Sequence, residues 1–137
     1  MRIIKAIIIS VLAVVAAACE RYQTVPENSP FLVMCTVNDG TISDGAMMNL
    51  AIAQGAVSGE CQLSLSLKEK ETGASPSYRI MANGRTQIGE TDSWSFDENG
   101  LAKFVIMDLP TGKYHLKINV RRWYHSASAE ADFEIKL

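Results

Sequence analysis

The clearest pattern along this chain is alternation with a period of two. In Cys61–Lys68 the residues Leu63, Leu65 and Leu67 alternate with Gln62, Ser64 and Ser66. Tyr114, Leu116, Ile118 and Val120 alternate with His115, Lys117, Asn119 and Arg121, and Ala131, Phe133, Ile135 and Leu137 with Asp132, Glu134 and Lys136. A helix would repeat near every 3.6 residues, so these runs predict strands with one dry and one wet face. Leu101–Met107 is apolar on both faces, which suits a central strand. The last of these alternations belongs to a strand over Ala129–Leu137, and further strands are predicted over Pro30–Val37, Ala46–Ala53, Ser77–Ala82 and Thr91–Phe96. The segment Thr86–Glu90 reads as irregular.

Turn chemistry separates the runs. Asn99-Gly100 supplies positive φ angles and predicts a hairpin between the strand ending at Phe96 and the one starting at Leu101. Asn38-Asp39-Gly40, Ser43-Asp44-Gly45, the Gln54–Gly59 stretch, Lys68–Pro76 and Asn83-Gly84 read as turns or loops. Pro110 and Gly112 make Asp108–Lys113 a corner. No helix and no repeat is predicted. About seven short strands with tight turns argue for an all-β, antiparallel sandwich. The run Leu109-Pro110-Thr111-Gly112-Lys113-Tyr114 resembles the tyrosine corner of immunoglobulin-like sandwiches, which makes that the expected architecture.

The first eighteen residues follow different rules. Arg2 and Lys5 precede an apolar run, Ala6–Ala18, broken only by Ser10. Those thirteen residues span about 20 Å as helix, against ~30 Å for a bilayer core. The segment 1–18 therefore reads as an export signal rather than a span. It ends in Ala16-Ala17-Ala18-Cys19, which resembles the lipobox of bacterial lipoproteins, with Ala16 where that family usually carries Leu. The resemblance implies cleavage before Cys19, a thioether-linked diacylglycerol on it, and a place on the cell envelope. The other reading is an ordinary signal with an incidental Cys. Residues 19–29 are polar and aperiodic and read as a tether reaching at most ~33–36 Å over its last ten residues. The domain is then 30–137.

Charge narrows the partners. The formal net charge is −2, and Arg2 and Lys5 leave with the signal, so the exported part is acidic. Non-specific nucleic-acid binding is not expected. Of three cysteines, Cys19 is assigned to lipid; Cys35 and Cys61 both fall in phase with apolar neighbours. An exported compartment permits a disulfide between them, and two buried thiols are the other reading. Two isolated Cys and two distant His, His115 and His125, give no metal-ligand spacing. No cofactor is implied.

No catalytic set accompanies the strands. There is no nucleophile elbow, no triad order and no phosphate-binding glycine loop before a helix. The paired acids Glu69/Glu71 and Asp97/Glu98 lie in turns, where solvation explains them. The chain is expected not to be an enzyme. One cluster has the composition of a recognition surface: Arg121-Arg122-Trp123-Tyr124-His125, between the last two strands. Either it binds a partner, or Trp123 or Tyr124 plugs the end of the sandwich.

Two family resemblances bear on function. Phe96–Val120 is similar to the transthyretin-like and carboxypeptidase-regulatory-like sandwich modules of exported bacterial proteins. The whole layout resembles the TraQ family of lipoproteins from Bacteroides-type conjugative transposons: a lipobox, a short tether, Pro30-Phe31-Leu32-Val33, the turn Ile42–Gly45, then a core strand and a Gly turn. That resemblance implies a non-enzymatic accessory of the mating apparatus with protein partners in the envelope, and it carries over no functional residue except Cys19. The alternative is a surface-exposed module that binds carbohydrate or a host protein through Arg121–His125.

Overall fold

The computed structural model describes residues 21–25 (backbone only), 29–82, 86–89 and 92–137. The signal segment 1–18, Cys19 and the Asn83-Gly84 turn lie outside the described residues. Eleven strands run through the rest: β1 (Arg21–Val25), β2 (Phe31–Val37), β3 (Gly40–Thr41), β4 (Ala46–Gly55), β5 (Glu60–Glu69), β6 (Arg79–Ala82), β7 (Thr86–Ile88), β8 (Ser93–Ser95), β9 (Leu101–Met107), β10 (Gly112–Arg122) and β11 (His125–Lys136). They form two sheets, ordered β1-β11-β10-β5-β8 and β2-β4-β9-β6-β7, with two-residue β3 added to β11. Every pairing is antiparallel except β3 with β11.

The period-two runs become the facing layers of one core. Leu63, Leu65 and Leu67 of β5 point inward beside Tyr114, Leu116, Ile118 and Val120 of β10. On β11 the inward positions 127, 129 and 131 are all alanine. These short side chains leave room for β2, whose Phe31, Val33 and Cys35 are buried against the same core. Met48 and Leu50 of β4, Phe104 and Ile106 of β9 and Ile80 of β6 complete the second layer. Full burial of each such side chain stabilises by about 1.5–3 kcal/mol.

The tyrosine corner forms as its motif implies. The Tyr114 side chain is fully buried, stacks on Phe133 at 5.5 Å between centroids, and donates its hydroxyl to the Pro110 carbonyl at 2.8 Å. Burial first, and the nearby Glu69 carboxylate second, push the phenol's pKa up. Just before the corner Asp108 takes a positive φ of 69°. Its carboxylate receives two hydrogen bonds from the Arg79 guanidinium, which hold it below the ordinary carboxylate range.

Three expectations need correction. Asn99-Gly100 does not join two strands of one sheet: β8 pairs with β5 in the first sheet, while β9 lies between β4 and β6 in the second. The loop closes on itself instead, with Asp97 Oδ1 accepting from the amides of Asn99 and Leu101, and Gly100 alone at positive φ. Thr86–Ile88, read as irregular, is β7 on the free edge of the second sheet. Within the stretch read as tether, Arg21–Val25 is β1, paired along β11 from Glu130 to Ser126. That strand, with the short β3 and β7, adds to the eight runs predicted as strands.

Candidate functional site

Three connections meet at one end of the sandwich. β10 and β11 are joined by a two-residue turn, Trp123-Tyr124, with Arg122 opposite His125. The chain enters β2 at Pro30 and Phe31 at this end, and 56–59 connect β4 to β5 here. The sequence allows the close approach because Gly55 has φ +88° and a Cβ there would lie 2.0 Å from the Pro30 carbonyl oxygen. Between the connections is a groove of about 320 Å³, lined by Phe31, Val57, Arg122, Trp123, Tyr124 and His125 among others.

The aromatic pair is not a core plug. Trp123 is 71% exposed and Tyr124 82% exposed. Trp123 also holds a φ of 58°, a left-handed conformation unusual for a bulky side chain. Arg122 lies over the Trp123 ring at 4.7 Å and donates from Nη1 to the Glu60 carbonyl at 3.1 Å. It rests against Gly59, where a Cβ would come within 3.0 Å of the guanidinium nitrogens. The Tyr124 and His125 rings sit 5.3 Å apart. His125 Nδ1 is buried without a hydrogen-bond partner.

The five-residue cluster is therefore divided. Arg122, Trp123, Tyr124 and His125 share the groove. Arg121 points to the outer face of the first sheet, where it donates to Gln62 Oε1 beside Ser64 and Asn119. The groove's apolar side, Pro30, Phe31 and Val57, carried no sequence signal of its own, since strand entry and loop residues look alike before the sheets are assembled.

A second polar group was also missed. His115 lies between two carboxylates, with Nδ1 2.7 Å from Asp132 Oδ1 and Nε2 2.8 Å from Glu130 Oε1. Lys70 Nζ reaches Asp132 Oδ2 at 3.1 Å. Burial alone would raise the Asp132 pKa, but the hydrogen bonds and charges of His115 and Lys70 outweigh it and hold the carboxyl below its ordinary value. Counting outward from a two-residue turn at Trp123-Tyr124 pairs His115 with Asp132, so the signal was present once the turn was known.

Cys35 and Cys61 are both buried, on β2 and β5, and the structure carries them as thiols. Burial raises the Cys61 pKa, against the opposing charge of Arg122. Among the described residues no group of three or more His, Cys, Asp or Glu converges on a metal position, and no helix is long and apolar enough to cross a membrane.

The chain matches no protein-family model and no curated protein. Among solved structures it is similar to a conjugative transposon lipoprotein from Bacteroides eggerthii, at 8% sequence identity and a TM-score of 0.46, covering 84% of this chain and 96% of that one.

Proposed function

We propose that this protein is a non-enzymatic lipoprotein, held on the cell envelope through Cys19, that serves as an accessory of a conjugative transfer or envelope assembly. The observation that carries the reading is Ala16-Ala17-Ala18-Cys19 at the end of a basic-then-apolar leader, ahead of an all-strand domain. Dual or triple acylation of one Cys would make attachment effectively permanent, because each buried methylene contributes ~0.8 kcal/mol. The resemblance of the sequence layout to the TraQ-like lipoproteins supports the role in transfer. Labelled palmitate should enter the parent chain and not Cys19→Ser. Capture from intact envelope should recover transfer or assembly proteins with the parent alone. Absence of label from the parent overturns the anchor.

A second reading is favoured by one observation, the exposed Trp123-Tyr124 turn over its groove. In that reading the groove end binds a carbohydrate or a host protein. Glycan or host-protein capture that depends on Tyr124, with no envelope partner recovered, would favour it over the first.

A further inference from the structure

The turn between β10 and β11 carries a bulky residue where the backbone suits a small one. A two-residue hairpin turn with positive φ at its first position alone has the type II′ pattern, and that position favours Gly. Here it holds Trp123 at φ 58°, and Tyr124 follows without a positive φ. Both rings are exposed, so no core packing offsets the strain of a large side chain in that conformation. A strained, solvent-facing aromatic residue is a feature of binding surfaces rather than of folding.

Arg122 beside it is a cation without an acid. Of the three arginine side chains among the described residues, Arg79 is paired with Asp108 and Arg121 donates to Gln62 Oε1. Arg122 forms no ion pair among them. It lies 4.7 Å over the Trp123 ring and donates to the backbone carbonyl of Glu60, not to its carboxylate. These contacts hold the guanidinium in place and leave other N–H groups of its fork free to donate. The groove it borders is lined also by Phe31 and Val57, and by no Asp or Glu.

Exposed aromatic rings, an uncompensated guanidinium and an apolar wall therefore meet at one place. Its volume of about 320 Å³ is at the lower end of the ~300–1,000 Å³ usual for ligand pockets, which suits one ring rather than a chain. A sugar ring has apolar C–H faces that can lie on an aromatic side chain. In a uronic acid the carboxylate is fixed to that ring, so one rigid ligand reaches the aromatic turn and the guanidinium together, at little ordering cost. An extended peptide is suited less well, since Pro30 at the strand entry brings no N–H to pair with it.

We propose that this groove is a subsite for an acidic sugar, a uronic acid unit of an anionic glycan, with the sugar ring on Trp123 and Tyr124 and its carboxylate on Arg122. This rests on the second reading above and names its ligand class.

The test is calorimetric titration of the full chain in detergent with oligomers of galacturonate, mannuronate and glucuronate, each beside its methyl ester. Dextran sulfate and an oligoglutamate peptide serve as other anions. At least one uronate oligomer should bind, and the methyl ester, or the acid on Arg122→Ala, should bind roughly ten-fold more weakly or worse. Trp123→Gly separates binding from folding. It should lose the sugar while its melting temperature holds or rises, because Gly suits the turn. A clear fall in that melting temperature makes the ring structural and overturns the proposal. Uronate binding that survives both Arg122→Ala and Trp123→Gly lies elsewhere on the molecule and also overturns it. Equal binding of acid and ester, or of dextran sulfate or the peptide, overturns the acidic sugar, while the second reading stands where that binding depends on Tyr124. Binding of none of the three uronates overturns the proposal as well. The second reading then survives only if Tyr124-dependent capture of a neutral glycan or a host protein remains, and falls without it.

Discussion

The hydroxyl of Tyr114 donates to the carbonyl of Pro110 at 2.8 Å, across the corner that leads from β9 into β10. The ring is fully buried and stacked on Phe133, so the bond fixes where β10 begins. Tyr114→Phe keeps the ring and removes the donor. We expect a loss of about 1–2 kcal/mol of folding stability with the fold unchanged, measured by urea denaturation.

Leu116 and Leu65 point into the core from the adjacent strands β10 and β5, 0% and 6% exposed. Leu116→Asp or Leu65→Asp buries a carboxylate with no partner. Such a change costs more than about 4 kcal/mol, enough to unfold a domain of this size. Neither variant should give a cooperative thermal transition. A melt like the parent's would overturn the inward assignment.

Arg122→Ala with Tyr124→Ala removes the cation–aromatic contact and one of the two exposed aromatic rings at the groove. Tyr124 is exposed and Arg122 is only half-buried, so the melt should move little, by the equivalent of about 1 kcal/mol or less. Partner capture should be lost. A large fall in melting temperature would return the turn to a structural role.

Asp132 has a depressed pKa in the folded protein, against an ordinary value of 3.8. Its contribution is fully present above that ordinary value and is lost as pH falls through the lower folded value. Acid should therefore destabilise the parent more than Asp132→Asn, so that the gap between the two curves is full above about pH 4 and closes below it. The carboxylate is 37% exposed, so added salt should shrink the gap. Thermal melts from pH 2 to 7, at low and high salt, check this.

Cys35 and Cys61 are carried as buried thiols. Neither should react with an aromatic disulfide reagent until the protein unfolds, and reductant should leave the melting temperature unchanged. A reductant-dependent melt would establish a bridge between them.

Much of the sandwich was legible because one face of each long strand is continuously apolar. The alternations at Leu63–Leu67 and Tyr114–Val120 mark strands wherever their partners lie. Sheet membership is different, since it depends on contacts between distant segments. That is why Asn99-Gly100 looked like a hairpin: a Gly at positive φ closes a local loop equally well when its flanking strands diverge into separate sheets. β1 was hidden for a related reason. Arg21–Val25 has no apolar period, and its strand is made by the edge of β11. At the groove, Arg122–His125 stood out by composition, while Arg121 joined them only because adjacency in sequence does not separate the two faces of a strand. The apolar outside of β9 was visible, but reading it as a mark of a central strand concealed that one of its faces is an outer surface.

Among the described residues the longest ladder is β10 with β11, and it occupies the last part of the chain. β5 and β1 must each find a partner within that hairpin before the first sheet exists. Pairings of such long sequence separation form slowly. Until the tail of the chain is present the first sheet has no hairpin to form on, whereas the strands of the second sheet all precede it and can already pair among themselves. The same order leaves the inward side chains of β2 and β4, Val33, Cys35, Met48 and Leu50, uncovered until the C-terminal hairpin arrives to roof them.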